Sequence, residues 1–108
     1  FAPLFGPASR AEVPIIGRAG DNGRFVVSGQ VDRLVVLPDR VLIVDYKTNR
    51  KPPKSADAIP VPYLRQMAAY RAVLGQALPG RAVRCALVWT EGPKMMPVPP
   101  DLLDRYAP

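Results

Sequence analysis

The stretch GQVDRLVVLPDRVLIVDYKT, residues 29–48, decides how this chain folds. It holds two apolar runs, 34–37 and 41–44, divided by Pro38 and Asp39. Asp32 stands just before the first run and Asp45 just after the second. Residues 25–36 alternate, with Phe25, Val27, Gly29 and Val31 set against Val26, Ser28, Gln30 and Asp32, which is the period of a β-strand. Residues 40–46 (RVLIVDY) are short and mostly apolar, as a central strand should be. A connection this tight makes the two strands antiparallel. Paired in that way, Asp32 and Asp45 meet at one end of a sheet. A buried carboxylate without a partner is costly, and two close together repel, so the pattern calls for a cation. Lys47, two residues beyond Asp45, points to the same face about 6–7 Å further along an extended backbone.

Working outward, residues 11–16 form a short apolar segment carrying Glu12 and Pro14, and they read as an edge strand because proline cannot donate to a central ladder. Gly20, Asp21, Asn22 and Gly23 form a turn of residues that tolerate positive φ. Beyond the deciding stretch, residues 48–61 are polar, basic and proline-containing, hence a surface loop. Residues 63–74 (YLRQMAAYRAVL) predict a helix, with Pro62 in its first turn and Gly75 as its stop. Gln66 and Tyr70 stand four apart on one face of it. Residues 82–90 predict another strand with Val83, Cys85, Leu87 and Trp89 on one side. Residues 94–98 serve as its hairpin partner and residues 100–106 as a closing helical turn. Strands, then a helix, then strands define a mixed α/β (α+β) fold. Residues 1–10 read as a linker or the remnant of a preceding element, and 11–108 as one domain. The chain opens on Phe1, so it reads as the C-terminal fragment of a longer protein, with no secretory leader.

Composition removes several classes of chemistry. The 108 residues include no histidine, which excludes a Ser-His-Asp triad and a histidine metal site. Cys85 is the only cysteine, so there is neither a disulfide framework nor a four-cysteine iron–sulfur cluster. It reads as a core residue. The apolar runs are far shorter than the roughly 20 residues of a membrane span. Fifteen Lys and Arg against nine Asp and Glu leave a net charge of +6. Lys47, Arg50, Lys51 and Lys54 cluster after Asp45, with Arg65 and Arg71 on the predicted helix, a distribution suited to phosphate contacts on nucleic acid. Tyr63 and Trp89 read as core or core-edge aromatics. A lone Asp-x-Lys is more often a surface ion pair. Here it follows a second acid on a neighbouring strand, and that set is suited to metal-assisted phosphodiester hydrolysis.

Together, Gly29 and Asp32, then Asp45-Tyr46-Lys47-Thr48, then Gln66 and Tyr70 resemble the PD-(D/E)xK nuclease superfamily. The similarity is closer to the RecB-like nuclease domain at the C-terminus of AddA-type helicase–nucleases. It runs from about Glu12 to Tyr70. The resemblance implies a restriction-endonuclease-like core, a small mixed sheet flanked by a helix, with an N-terminal helical part missing. It implies Mg²⁺ or Mn²⁺ held by Asp32, Asp45 and the Tyr46 carbonyl, with Lys47 positioning or activating the attacking water. Gln66 and Tyr70 would support the site and contact DNA, and Arg50 and Lys51 would add phosphate contacts. Glu12 matches an upstream acid of such domains, although a solvated edge-strand glutamate explains it equally well. The lone cysteine departs from the iron–sulfur relatives and favours the AddA side. The implied partners are DNA, as a single strand or duplex end, helicase domains on the same parent chain, and a second nuclease or helicase subunit. The implied setting is the bacterial cytoplasm, with no membrane. The alternative is an inactive nuclease-like module that binds DNA or scaffolds a helicase.

Overall fold

Alternation of apolar and polar residues, broken by glycine- and proline-rich turns, produces five strands and a crossover helix. The structure, a computed structural model, describes residues 8–48, 51–91 and 94–108. Most of the stretch 1–10 read as a linker, together with Arg50, therefore lies outside the described residues. The elements are β1 (Ser9–Ala19), β2 (Phe25–Val36), β3 (Arg40–Lys47), α1 (Val61–Ala77), β4 (Ala82–Trp89), β5 (Lys94–Val98) and a short α2 (Pro100–Asp104). They form one mixed sheet in the order β1-β2-β3-β4-β5. The β1–β2, β2–β3 and β4–β5 pairs are antiparallel, whereas β3 and β4 are parallel and joined through α1. This is the mixed α+β architecture expected from the sequence.

The turns follow their residues. Gly20, Asn22 and Gly23 all adopt positive φ between β1 and β2, which glycine tolerates freely and asparagine better than most. Pro38 and Asp39 close the β2–β3 hairpin, across which the Leu37 amide donates to the Arg40 carbonyl at 2.8 Å. Parallel strands cannot be joined so tightly, and the chain between β3 and β4 is long enough to carry a helix. Pro14 sits on β1, the outer strand, where a missing donor is harmless.

Helix α1 buries Leu64, Met67, Ala68, Tyr70, Val73 and Leu74, a three-four spacing that makes one apolar stripe. The stripe packs with Val41, Ile43, Cys85, Leu87 and Trp89 from the central strands. Cys85 is core, as its position implies. Its thiol lies 3.8 Å from the Met67 carbonyl, and burial pushes its pKa up to about 12. The helix does not stop at Gly75 but runs to Ala77. The physical stop is Pro79, which bars its predecessor Leu78 from helical backbone; Leu78 has φ −126° and ψ 67°. Phe25, in alternation with Val27 and Val31, is 47% exposed, with the Arg24 guanidinium over its ring. Among the described residues no helix is long and apolar enough to cross a membrane.

Two glycines set how closely α1 approaches the sheet. A Cβ on Gly17 would meet the Val73 side chain at 2.6 Å, and one on Gly29 would collide with the Tyr70 hydroxyl. A glycine inside a strand often marks such an approach. Gly29→Ala is therefore expected to force Tyr70 and the middle of α1 outward, costing about 1–3 kcal/mol as overpacking does. Chemical denaturation should show this as a lower midpoint with an unchanged slope. An unaltered midpoint would mean that the helix does not rest on Gly29.

Candidate active site

Strict alternation along β2 would turn Asp32 away from the helix, because Val27 and Val31 face it. The strand changes phase instead. Val31 and Leu34 both join the cluster beneath α1, three positions apart, whereas Val35 joins Val44 on the opposite side of the sheet. A regular strand cannot place residues three apart on one face. The shift occurs level with Glu12 on β1, since Ala11 pairs with Arg33 and Val13 with Val31. Glu12 has φ 53°, an unusual backbone for a non-glycine strand residue. Local irregularities of this kind re-aim a side chain, and here the one re-aimed is Asp32.

The β2–β3 register runs from Val36 opposite Val41 to Arg33 opposite Val44, so the next step brings Asp32 level with Asp45. One Asp32 carboxylate oxygen accepts the Tyr46 amide at 2.7 Å. Asp45 follows Val41 and Ile43 on the helix-facing side of β3 and is 7% exposed. Lys47 donates to its Oδ2 from 2.7 Å, so the two side chains share one face as their spacing requires. Two carboxylates and one ammonium leave a local charge of −2 + 1 = −1. Burial raises the Asp45 pKa above its ordinary 3.8, and its hydrogen-bonded neighbour Asp32 raises it further, with Lys47 opposing both.

Behind this pair lie two aromatic rings. Trp89 is the register partner of Lys47 on the parallel strand β4 and is 2% exposed. Tyr63, in the first turn of α1, packs its ring 6.1 Å from that of Trp89. The same Tyr63 ring carries the Lys47 ammonium over its face, 4.0 Å from the centroid. Sequence reading placed both aromatics at the core or its edge and missed the contact of Tyr63 with the lysine. The available signal was the position of Tyr63, at the end of α1 that follows the loop from Lys47.

The other expected residues divide. Gln66 is exposed and donates weakly, at 3.4 Å, to the hydroxyl of Tyr70, which is 5% exposed and seated over Gly29. Glu12 is exposed on the outer strand, and among the described residues no third histidine, cysteine or acid joins Asp32 and Asp45. Lys51 and Lys54 are exposed in the loop after β3. The helix arginines are directed elsewhere. Arg71 pairs with Asp104 at 2.8 Å, and Arg65 lies over the Tyr106 ring, so both face the C-terminal segment.

The donor set suits a hard divalent cation: two adjacent carboxylates, a net negative charge, and an acid whose pKa is raised by burial and then by its neighbour. Asp32, Asp45 and the Tyr46 carbonyl are the groups that would hold it. Residues 5–101 match the PD-(D/E)XK nuclease superfamily, and the chain belongs to it. Among solved structures, the fold is similar to the crystal structure of SSO0001, at 13% identity and a TM-score of 0.52. That match covers 97% of this chain and 50% of SSO0001, so the chain spans half the length of that protein. No curated protein matches.

The sign of the carboxylate conflict is measurable. Unfolded, Asp45 titrates near 3.8; folded, it keeps its proton to higher pH. Between those values the folded state binds more protons, so stability falls as pH rises, and above the folded value the full penalty remains. Asp32→Asn keeps an oxygen for the Tyr46 amide but removes the repelling charge. At pH 7 it is expected to lower the Asp45 pKa and stabilise the fold by about 1 kcal/mol, several degrees in Tm for a domain of this size. The advantage should fade as pH falls through the raised folded pKa of Asp45, where that carboxyl takes up its proton. Thermal melts across pH with NMR titration of Asp45 test this, and a lower Tm at pH 7 would refute the conflict.

Proposed function

We propose that this chain is the nuclease domain of a bacterial AddA-type helicase–nuclease, cleaving DNA phosphodiester bonds with Mg²⁺ or Mn²⁺. The observation that carries the reading is the convergence of Asp32, Asp45 and Lys47 on one face at the end of β3. The Asp-Tyr-Lys-Thr run, the Gln66–Tyr70 pair and the lone Cys85 support the AddA-type assignment over iron–sulfur relatives. On this reading the activity is exonucleolytic. It acts on a strand or duplex end delivered by a helicase on the same parent chain, with a second subunit, in double-strand break repair and recombination in the cytoplasm.

The chain's own residues have definable tasks. A divalent ion bound here would polarise a phosphate oxygen and lower the pKa of water. Asp45 is the acid that must be ionised to receive it, and the Lys47 ammonium is the group that favours that ionised form. Asp32, held by the Tyr46 amide, presents its carboxylate beside Asp45 without needing to reorient. Lys47 orients the attacking water and stabilises the charge that develops on phosphate. Lys51 and Lys54, exposed just beyond β3, attract the DNA backbone in a salt-sensitive manner.

Linear DNA should be degraded in Mg²⁺ or Mn²⁺ and spared with chelator. Asp32→Ala, Asp45→Ala and Lys47→Ala should each lower cleavage by more than about 100-fold, the scale of a lost electrostatic group. The assay uses the full-length parent protein as well as this chain. In thermal melts Mg²⁺ should raise Tm, through about 2.7 kcal/mol of added stability at 100 times Kd, and the shift should disappear in Asp45→Ala. DNA binding without degradation by the full-length protein would instead favour a scaffolding module.

A further inference from the structure

A flexible four-carbon stem holds the Lys47 ammonium, so something must fix its position. The carboxylate of Asp45 does so at 2.7 Å. That contact weakens once a divalent ion draws on the same carboxylate, because the ammonium then faces both a competitor and a like charge. The Tyr63 ring, whose centroid lies 4.0 Å from Nζ, attracts a cation without consuming a carboxylate oxygen. We infer that Tyr63, backed by Trp89, is a positioning residue that keeps the Lys47 ammonium in the site. The catalytic part of this inference rests on the hydrolytic reading above; the structural part does not.

The ring is itself firmly placed. Tyr63 belongs to the first turn of α1, where its amide donates to the Pro60 carbonyl at 3.0 Å and Pro62 restricts the preceding backbone. Trp89 lies against it, tilted by 53°, and is too deeply packed to move aside. Among the described residues, the indole N–H of Trp89 has no hydrogen-bond partner. A buried donor left unsatisfied is unfavourable, so this position uses the bulk of the indole rather than its polarity. The chemistry needed at position 63 is a π-face. The hydroxyl is dispensable, which separates this role from that of a proton donor.

The test replaces Tyr63 by Leu, by Phe, and by mono-, di- and trifluorinated phenylalanines, which drain the ring face of negative charge with little change of size. The first readout is NMR of the lysine ε-methylene protons, with the Lys47 signal identified by its loss in Lys47→Met. Ring current should shift that signal upfield in the wild type and in Tyr63→Phe, and Tyr63→Leu should return it to the ordinary lysine position. The second readout is DNA cleavage. In Tyr63→Leu kcat should fall about tenfold with KM unchanged, Tyr63→Phe should stay within about twofold, and kcat should decline stepwise with fluorination. An unshifted Lys47 signal in the wild type, or a kcat flat across the fluorinated series, overturns the inference. If the wild type cuts no DNA the hydrolytic reading fails separately, and the NMR result alone decides whether Tyr63 holds the lysine.

Discussion

Repulsion between Asp32 and Asp45 is the constraint around which this domain is arranged. Two acids level with each other at the rim of a sheet, one of them nearly buried, oppose folding at neutral pH. The fold opposes that conflict with three local devices. The Tyr46 amide satisfies one carboxylate, the Lys47 ammonium partly neutralises the other, and the Tyr63 ring holds the ammonium near. None removes the net negative charge. Structural economy alone would favour an apolar pair here, so the presence of two acids marks this rim as a candidate site.

The architecture brings these devices together from three strands and a helix. The hairpin from β2 to β3 supplies both acids. The parallel crossover places Trp89 beside Lys47 and the beginning of α1 above them. This is the carboxyl end of the parallel pair, where α/β sheets generally place their ligands. The superfamily match spans residues 5–101, which include this rim.

Much of this was legible in the sequence because it depends on short-range rules. Proline, glycine and alternation located the strands, and β5 falls on the residues read from the pattern. The two-residue step from Asp45 to Lys47 predicted a shared face, as observed. What escaped prediction depends on tertiary context. The phase change at Asp32 requires Glu12 on another strand to adopt a left-handed backbone, which its residue type does not announce. Gly75 looked like a helix stop, but glycine only permits termination, whereas Pro79 enforces it. The diversion of Arg65 and Arg71 depends on where α2 and Tyr106 dock, so charge counting overestimated the basic surface beside the site.

The glycine contacts beneath the helix carry a mechanical consequence. Helix α1 is a rod of 17 residues, about 25 Å long, resting on Gly29 through Tyr70 and on Gly17 through Val73. Tyr63 lies seven residues, about 10 Å, from the nearer support, at the N-terminal end that packs on Trp89. Such a rod behaves as a lever with its fulcrum on the outer hairpin. Any thickening of that hairpin reaches Lys47 as a tilt of Tyr63, so a lesion beneath the middle of the helix is felt at its far end.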